Sequence, residues 1–139
     1  MKNLLFAIFL FVSPFVFSQS EWGDVNKNTV TLKEIGPIWP GCEDGDAAKR
    51  DACFNQKLAM HISKNFKFPA GYQKKEKIRV LVDFIINEKG EVEVTNVSGG
   101  TKELQEEAKR NILLIPKMAK PGMMGGKPRA IKMTVPFSF

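Results

Sequence analysis

Apolar and polar residues alternate most regularly from Glu76 to Asn87. Ile78, Val80, Val82, Phe84 and Ile86 point one way; Arg79, Leu81, Asp83, Ile85 and Asn87 point the other. A period of two over this length predicts a half-buried strand. Asn87-Glu88-Lys89-Gly90 carries the residues of a hairpin turn. Glu91 to Val97 then predicts an antiparallel return strand with Val92 and Val94 facing inward. The same period governs the end of the chain, where Ile131, Met133, Val135, Phe137 and Phe139 share one face. Pro136 lies inside that closing strand and has no N–H for a ladder, which predicts a sheet-edge position.

Two other stretches repeat at helical spacing. Phe54, Leu58 and Ile62, with Ala59 and Phe66 beside them, predict one buried helix face of three to four turns, with Asp51 as its N-cap. Leu104, Ala108, Ile112 and Ile115 form the stripe of a second helix stopped by Pro116. Its glutamates come early and Lys109 and Arg110 late, which suits the helix dipole. Thr29 to Ile35 alternates as a short first strand ended by Gly36-Pro37, and Pro121 to Pro128 is a Gly/Pro-rich surface connector. The expected order is β-α-β-β-α-β. It gives an α+β, two-layer fold: an antiparallel sheet of three to four strands with two helices on one face.

Composition changes this picture first at the start of the chain. Lys2, the apolar run Leu4 to Val12, and Val16 and Ser18 at the −3 and −1 positions predict a signal peptide over residues 1–18, cut before Gln19. An uncleaved inner-membrane anchor is the alternative, but the run is shorter than the ~20 residues a spanning helix needs. Residues 19–28 are then a flexible lead-in, and 29–139 the single domain. Export points to the periplasm, and to a disulfide between Cys42 and Cys53.

Charge sharpens the picture at the other end. Removing Lys2 with the signal takes the formal charge from +6 to +5. After Arg110 come Lys117, Lys120, Lys127, Arg129 and Lys132 and no acid, so the tail carries the whole excess. A localised excess of this kind speaks to a partner.

Catalytic chemistry finds little support, and the chain is expected not to be an enzyme. His61 is the sole histidine and no G-x-S-x-G elbow is present. A Cys53–His61 nucleophile needs a free thiolate, which export disfavours. Cys42, Cys53 and His61 lack a fourth ligand and zinc spacing, so no metal is expected. His61 is placed at the solvent side or margin of its helix, and Trp39 over one end of the sheet. Pro121 and Pro128 stand where a phosphate loop needs Gly and Ser or Thr. No cofactor, nucleic acid or small-molecule substrate is expected. What remains is recognition of an extended segment at the closing edge, with Lys132 and Arg129 steering acidic residues. The bland alternative is a solvated edge whose lysines only block aggregation.

Several ordered pieces add a resemblance. They are Pro37-Ile38-Trp39-Pro40-Gly41-Cys42-Glu43, Cys53-Phe54-Asn55, and His61 through Pro69. Val80, Val82, Phe84, Ile86 and Gly90 follow, then Leu104, Ala108 and Pro116. Pro121-Gly122, Gly126-Lys127-Pro128 and Val135-Pro136-Phe137-Ser138-Phe139 complete the set. In this order the chain from about Val30 resembles the TonB C-terminal domain family, particularly its short exported Bacteroidetes forms. The resemblance implies a periplasmic module that binds an extended segment, the TonB box, of TonB-dependent outer-membrane transporters. It maps the docking strand onto Arg129, Ala130, Ile131, Lys132, Met133, Thr134 and Val135, and places Phe66, Phe68 and Pro69 near the partner. Ile78 replaces a usual Gly, and Tyr72 is displaced from the usual Tyr-Pro pair. About ten polar residues precede the domain where a classical TonB has an anchor and a long Pro-rich spacer, so docking without force transmission is expected. Two alternatives stay open: a self-associating scaffold (a homodimer through the same edge), and anionic-lipid binding by the tail lysines.

Overall fold

The computed structural model describes residues 33–74 and 77–139. The expected signal and lead-in, residues 29–32 of the first expected strand, and Glu76 lie outside the described residues. The elements run β1 (Glu34–Ile35), α1 (Ala47–Asn65), β2 (Arg79–Ile86), β3 (Val92–Ser98), α2 (Lys102–Leu113), β4 (Met123–Met124), β5 (Lys127–Pro128) and β6 (Ile131–Ser138). They form an α+β fold with two antiparallel three-stranded sheets, ordered β3-β2-β6 and β1-β4-β5.

The alternation in β2 sets the core. Val80, Val82, Phe84 and Ile86 are fully or almost fully buried, while Arg79 is exposed and Leu81, Asp83 and Ile85 are half-buried. The buried face joins Leu104, Ala108, Ile112 and Ile115 of the α2 segment, together with Phe54 of α1, Trp39 and Phe137, in one cluster. Each fully buried Val, Leu, Ile or Phe side chain in it contributes about 1.5–3 kcal/mol by leaving water. The second helix is capped by Thr101, whose Oγ1 accepts from the Leu104 N–H at 3.3 Å.

The first helix corrects the expectation. It spans 19 residues, and its N-cap is Asp46, whose Oδ1 accepts from the Lys49 N–H at 2.9 Å. Asp51 therefore lies inside the helix. The added first turns carry few apolar residues, so the core stripe alone could not mark them. Cys53 sits on this helix and is bonded to the buried Cys42 across a separation of 11 residues. This ties the Trp39 loop to α1, and Trp39 meets the edge of Phe54 with ring centroids 5.6 Å apart.

The connector is more ordered than its composition suggests. Met123–Met124 and Lys127–Pro128 pair as a miniature hairpin, and β1 pairs with Met123–Met124. Gly125 and Gly126 both have positive φ, 59° and 79°. That is the two-residue hairpin geometry that glycine adopts at least cost. The first strand thus joins a small second sheet and not the main one.

Candidate functional site: the β6 edge

The order β3-β2-β6 leaves β6 at one margin of the main sheet. It runs antiparallel to β2 in continuous register, from Arg79 opposite Ser138 to Ile86 opposite Ile131. Just beyond, the Phe139 N–H donates to the Ile78 carbonyl at 3.0 Å. Bonding direction alternates residue by residue in an antiparallel pair. The odd-numbered residues of β6 therefore turn their backbone groups to β2, and Lys132, Thr134, Pro136 and Ser138 turn theirs outward. Pro136 occupies an outward position, where its missing N–H costs the β2 ladder nothing. Lys132 and Thr134 each hold an N–H and a C=O toward open space.

The side chains follow the same parity. Ile131, Met133 and Val135 are half-buried and Phe137 buried, whereas Lys132, Thr134, Pro136 and Ser138 are exposed. On the exposed face the Thr134 hydroxyl donates to Asp83 Oδ1 at 2.6 Å, and Asn96 Nδ2 reaches Asp83 Oδ2 at 3.4 Å. This polar rung crosses all three strands. It fixes Thr134 laterally and leaves its backbone unused.

The opposite margin, β3, is interrupted. Val94 faces Phe84 but Asn96 faces Asp83, so Thr95 is an extra residue that bulges the strand. The Thr95 hydroxyl donates to the Asp83 carbonyl at 3.1 Å, and Val97 is returned to the inner face opposite Val82. A bulge of this kind spoils a margin as a template for further pairing. Of the two margins, β6 alone is regular.

The sequence-predicted residues distribute unevenly. Ile131 to Val135 lie in β6. Arg129 and Ala130 precede it, and the Arg129 N–H is already donated to the Gly122 carbonyl at 2.8 Å. The Arg129 guanidinium rests against the Met124 sulfur. The one ion pair among the described residues is Arg110–Glu107, so Arg129 and Lys132 face no carboxylate there.

Phe66 and Phe68 stand at the far end of the strand. The Phe66 ring centroid is 5.7 Å from Phe137 and 5.0 Å from Phe139, and Phe68 is 5.8 Å from Phe139. With Ile62, Ser63, Pro136 and Ser138 these rings line a groove of 460 Å³ between the end of α1 and the end of β6. Pro69 is set apart, in a separate depression of about 350 Å³ beside Ile78 and Leu104. Phe137 and Phe139 were not among the expected contact residues. Their place on the inward face of the closing strand, with Pro136 between them, was the available signal.

A polar clip holds the end of α1 against α2 and so positions the groove. His61 Nε2 donates to the Asn111 carbonyl at 2.9 Å, which leaves Nδ1 to accept from Asn65 Nδ2 at 3.3 Å. Asn111, fully buried, donates to the Ile62 carbonyl at 3.0 Å. Arg110 donates to the Asn65 carbonyl, a free acceptor at the helix end. Glu107 accepts from Arg110 and from the Lys67 N–H. The Arg110 hydrogen bond, partly opposed by burial and aided by Lys67, holds the Glu107 carboxyl below its ordinary 4.5. His61 thus lies at the half-buried margin of its helix and is occupied structurally. Both cysteine sulfurs are joined, which leaves no thiolate for it to activate.

No helix among the described residues is long and apolar enough to cross a membrane. No family model matches the sequence, and no curated protein matches it. Among solved structures, the chain is similar to the solution structure of the C-terminal domain of Helicobacter pylori TonB. The two are 22% identical, with a TM-score of 0.42, over 70% of this chain and 95% of the other.

Proposed function

We propose that this chain is a non-enzymatic periplasmic binding module that captures an extended acidic peptide by adding it as a strand to β6. The partner is the TonB box-like segment of a TonB-dependent outer-membrane transporter, which links the protein to transmembrane transport. One observation carries the reading: β6 is the regular margin of the main sheet, with the backbone groups of Lys132 and Thr134 directed outward. Backbone pairing of this kind supplies affinity without demanding a particular side chain. The basic residues at its start, Arg129 and Lys132, favour an acidic partner, and the ordered motifs of the sequence favour a TonB-like one.

Calorimetry with acidic extended peptides tests the proposal on the oxidised, natively folded protein. Binding with chemical-shift changes along β6 supports it; no binding by any such peptide sinks it. Sedimentation separates the self-associating scaffold. A stable dimer that protects β6 from hydrogen exchange means that a second copy, and not a transporter, fills this margin.

A further inference from the structure

The aromatic groove and the basic start of β6 lie on opposite faces of one strand, and that geometry limits which peptides can fit. Lys132 points away from the helices. Pro136 and Ser138 form the strand-side lip of the groove. Its inner wall, where Ile62, Ser63 and Phe66 meet Phe137, lies on the buried face of β6 toward the helices, so the position that fills it is the one beside Phe137. An added strand would alternate its own side chains between the same two faces. A side chain that reaches Lys132 and one that enters the groove must therefore be an odd number of positions apart. Lys132 and Phe137 are five positions apart, or about 17 Å along an extended chain.

Pro136 adds a second constraint. Lys132 and Thr134 can each exchange two hydrogen bonds with an added strand, but Pro136 offers only its carbonyl. The ladder therefore loses a donor beside the groove, and side-chain burial has to hold the peptide there. Phe68, an aromatic ring that is 59% exposed, stands beside this gap. Its surroundings are the rings of Phe66, Tyr72 and Phe139, at centroid distances of 4.9 to 5.8 Å. Large exposed aromatic surface next to a cleft is suited to binding an apolar side chain.

Resting on the β6 reading above, we infer that the partner is an extended peptide with a two-part signature. It carries an acidic residue at the Lys132 end and a large apolar residue, aromatic or leucine, five positions away for the groove. The parity requirement distinguishes this from general attraction of acidic or greasy peptides.

The test is a set of capped peptides on one Ser/Thr-rich background, titrated calorimetrically into the oxidised protein. One has Glu and Phe five positions apart, in either chain direction. The others have the pair four positions apart, Phe replaced by Ser, or Glu replaced by Lys. The five-apart peptide should bind roughly tenfold or more tightly than the four-apart and Ser peptides, as expected for burying one large apolar side chain. In Phe68→Ser, which gives up ring contacts with Phe66, Tyr72 and Phe139, the Phe and Ser peptides should converge, and a cooperative thermal melt checks that the variant is folded. If all acidic peptides bind alike whatever the Phe position, and Phe68→Ser changes nothing, strand addition stands and the groove inference is overturned. If no peptide binds, the β6 reading fails and takes the inference with it.

Discussion

Thr134→Pro asks whether a partner pairs with β6 at all. Its N–H points outward, so proline there leaves the β2 ladder intact, as natural Pro136 does two residues on. The substitution also removes the hydroxyl that donates to Asp83 at 2.6 Å. Thr134→Val removes that hydroxyl alone and is the reference. Losing the hydroxyl should cost each variant about 1 kcal/mol, or roughly 4 °C in Tm for a domain of this size. The proline variant additionally leaves one carbonyl of the bound peptide without its donor. That should weaken binding by about 1–3 kcal/mol, roughly fivefold to 150-fold, relative to Thr134→Val. The assay pairs thermal melts with calorimetric titration of an acidic peptide. Val135→Pro is the parity control, because its N–H is directed at β2 and its loss should unfold the strand. Equal peptide affinity in Thr134→Pro and Thr134→Val, with both folded, would refute the claim that the partner pairs with this margin.

Three further outcomes are expected. Reducing the Cys42–Cys53 bond, which closes a separation of 11 residues, should cost about 2.5–3 kcal/mol in the loop-entropy account, seen as a lower urea midpoint with reductant. Gly122→Ala should destabilise the domain by about 1–3 kcal/mol in chemical denaturation, because the new methyl would lie 2.3 Å from Ile131 Cγ1 and 3.3 Å from the Arg129 carbonyl. The Glu107 carboxyl titrates lower in the folded state than its ordinary 4.5, so its contribution is present above that pH and is lost as pH falls through the folded value. Wild type should therefore exceed Glu107→Gln in stability near neutrality, and the gap should close under acid; a pH-independent gap in urea melts would contradict the assignment.

Strict alternation made β2 and β6 legible because one face of each is buried, so every second position had to be apolar. Pro136 marked the margin for a backbone reason that needs no tertiary context. Other features were hidden where several sequences satisfy the same physics. Asp46 and Asp51 are both plausible caps, and only the fold shows which one meets a free N–H. The bulge at Thr95 depends on how the return strand must realign Val97 over Val82. The Gly/Pro connector reads as loop because two-residue strands are too short to show a period. Asn111 falls within an apolar helix stripe, and its role depends on a carbonyl of the other helix. The groove was half visible: Phe66 and Phe68 stood out, but their meeting with Phe137 and Phe139 joins segments some seventy residues apart.

The bulge in β3 also sets a valence. A sheet with two regular margins could pass strands from molecule to molecule without end. Here one margin is regular and the other broken at Thr95, so addition at β6 creates no second docking place on this protein's own β3. On the proposed reading the main sheet would therefore act as a chain stopper, taking up one strand at β6 and offering no regular margin at β3 for another.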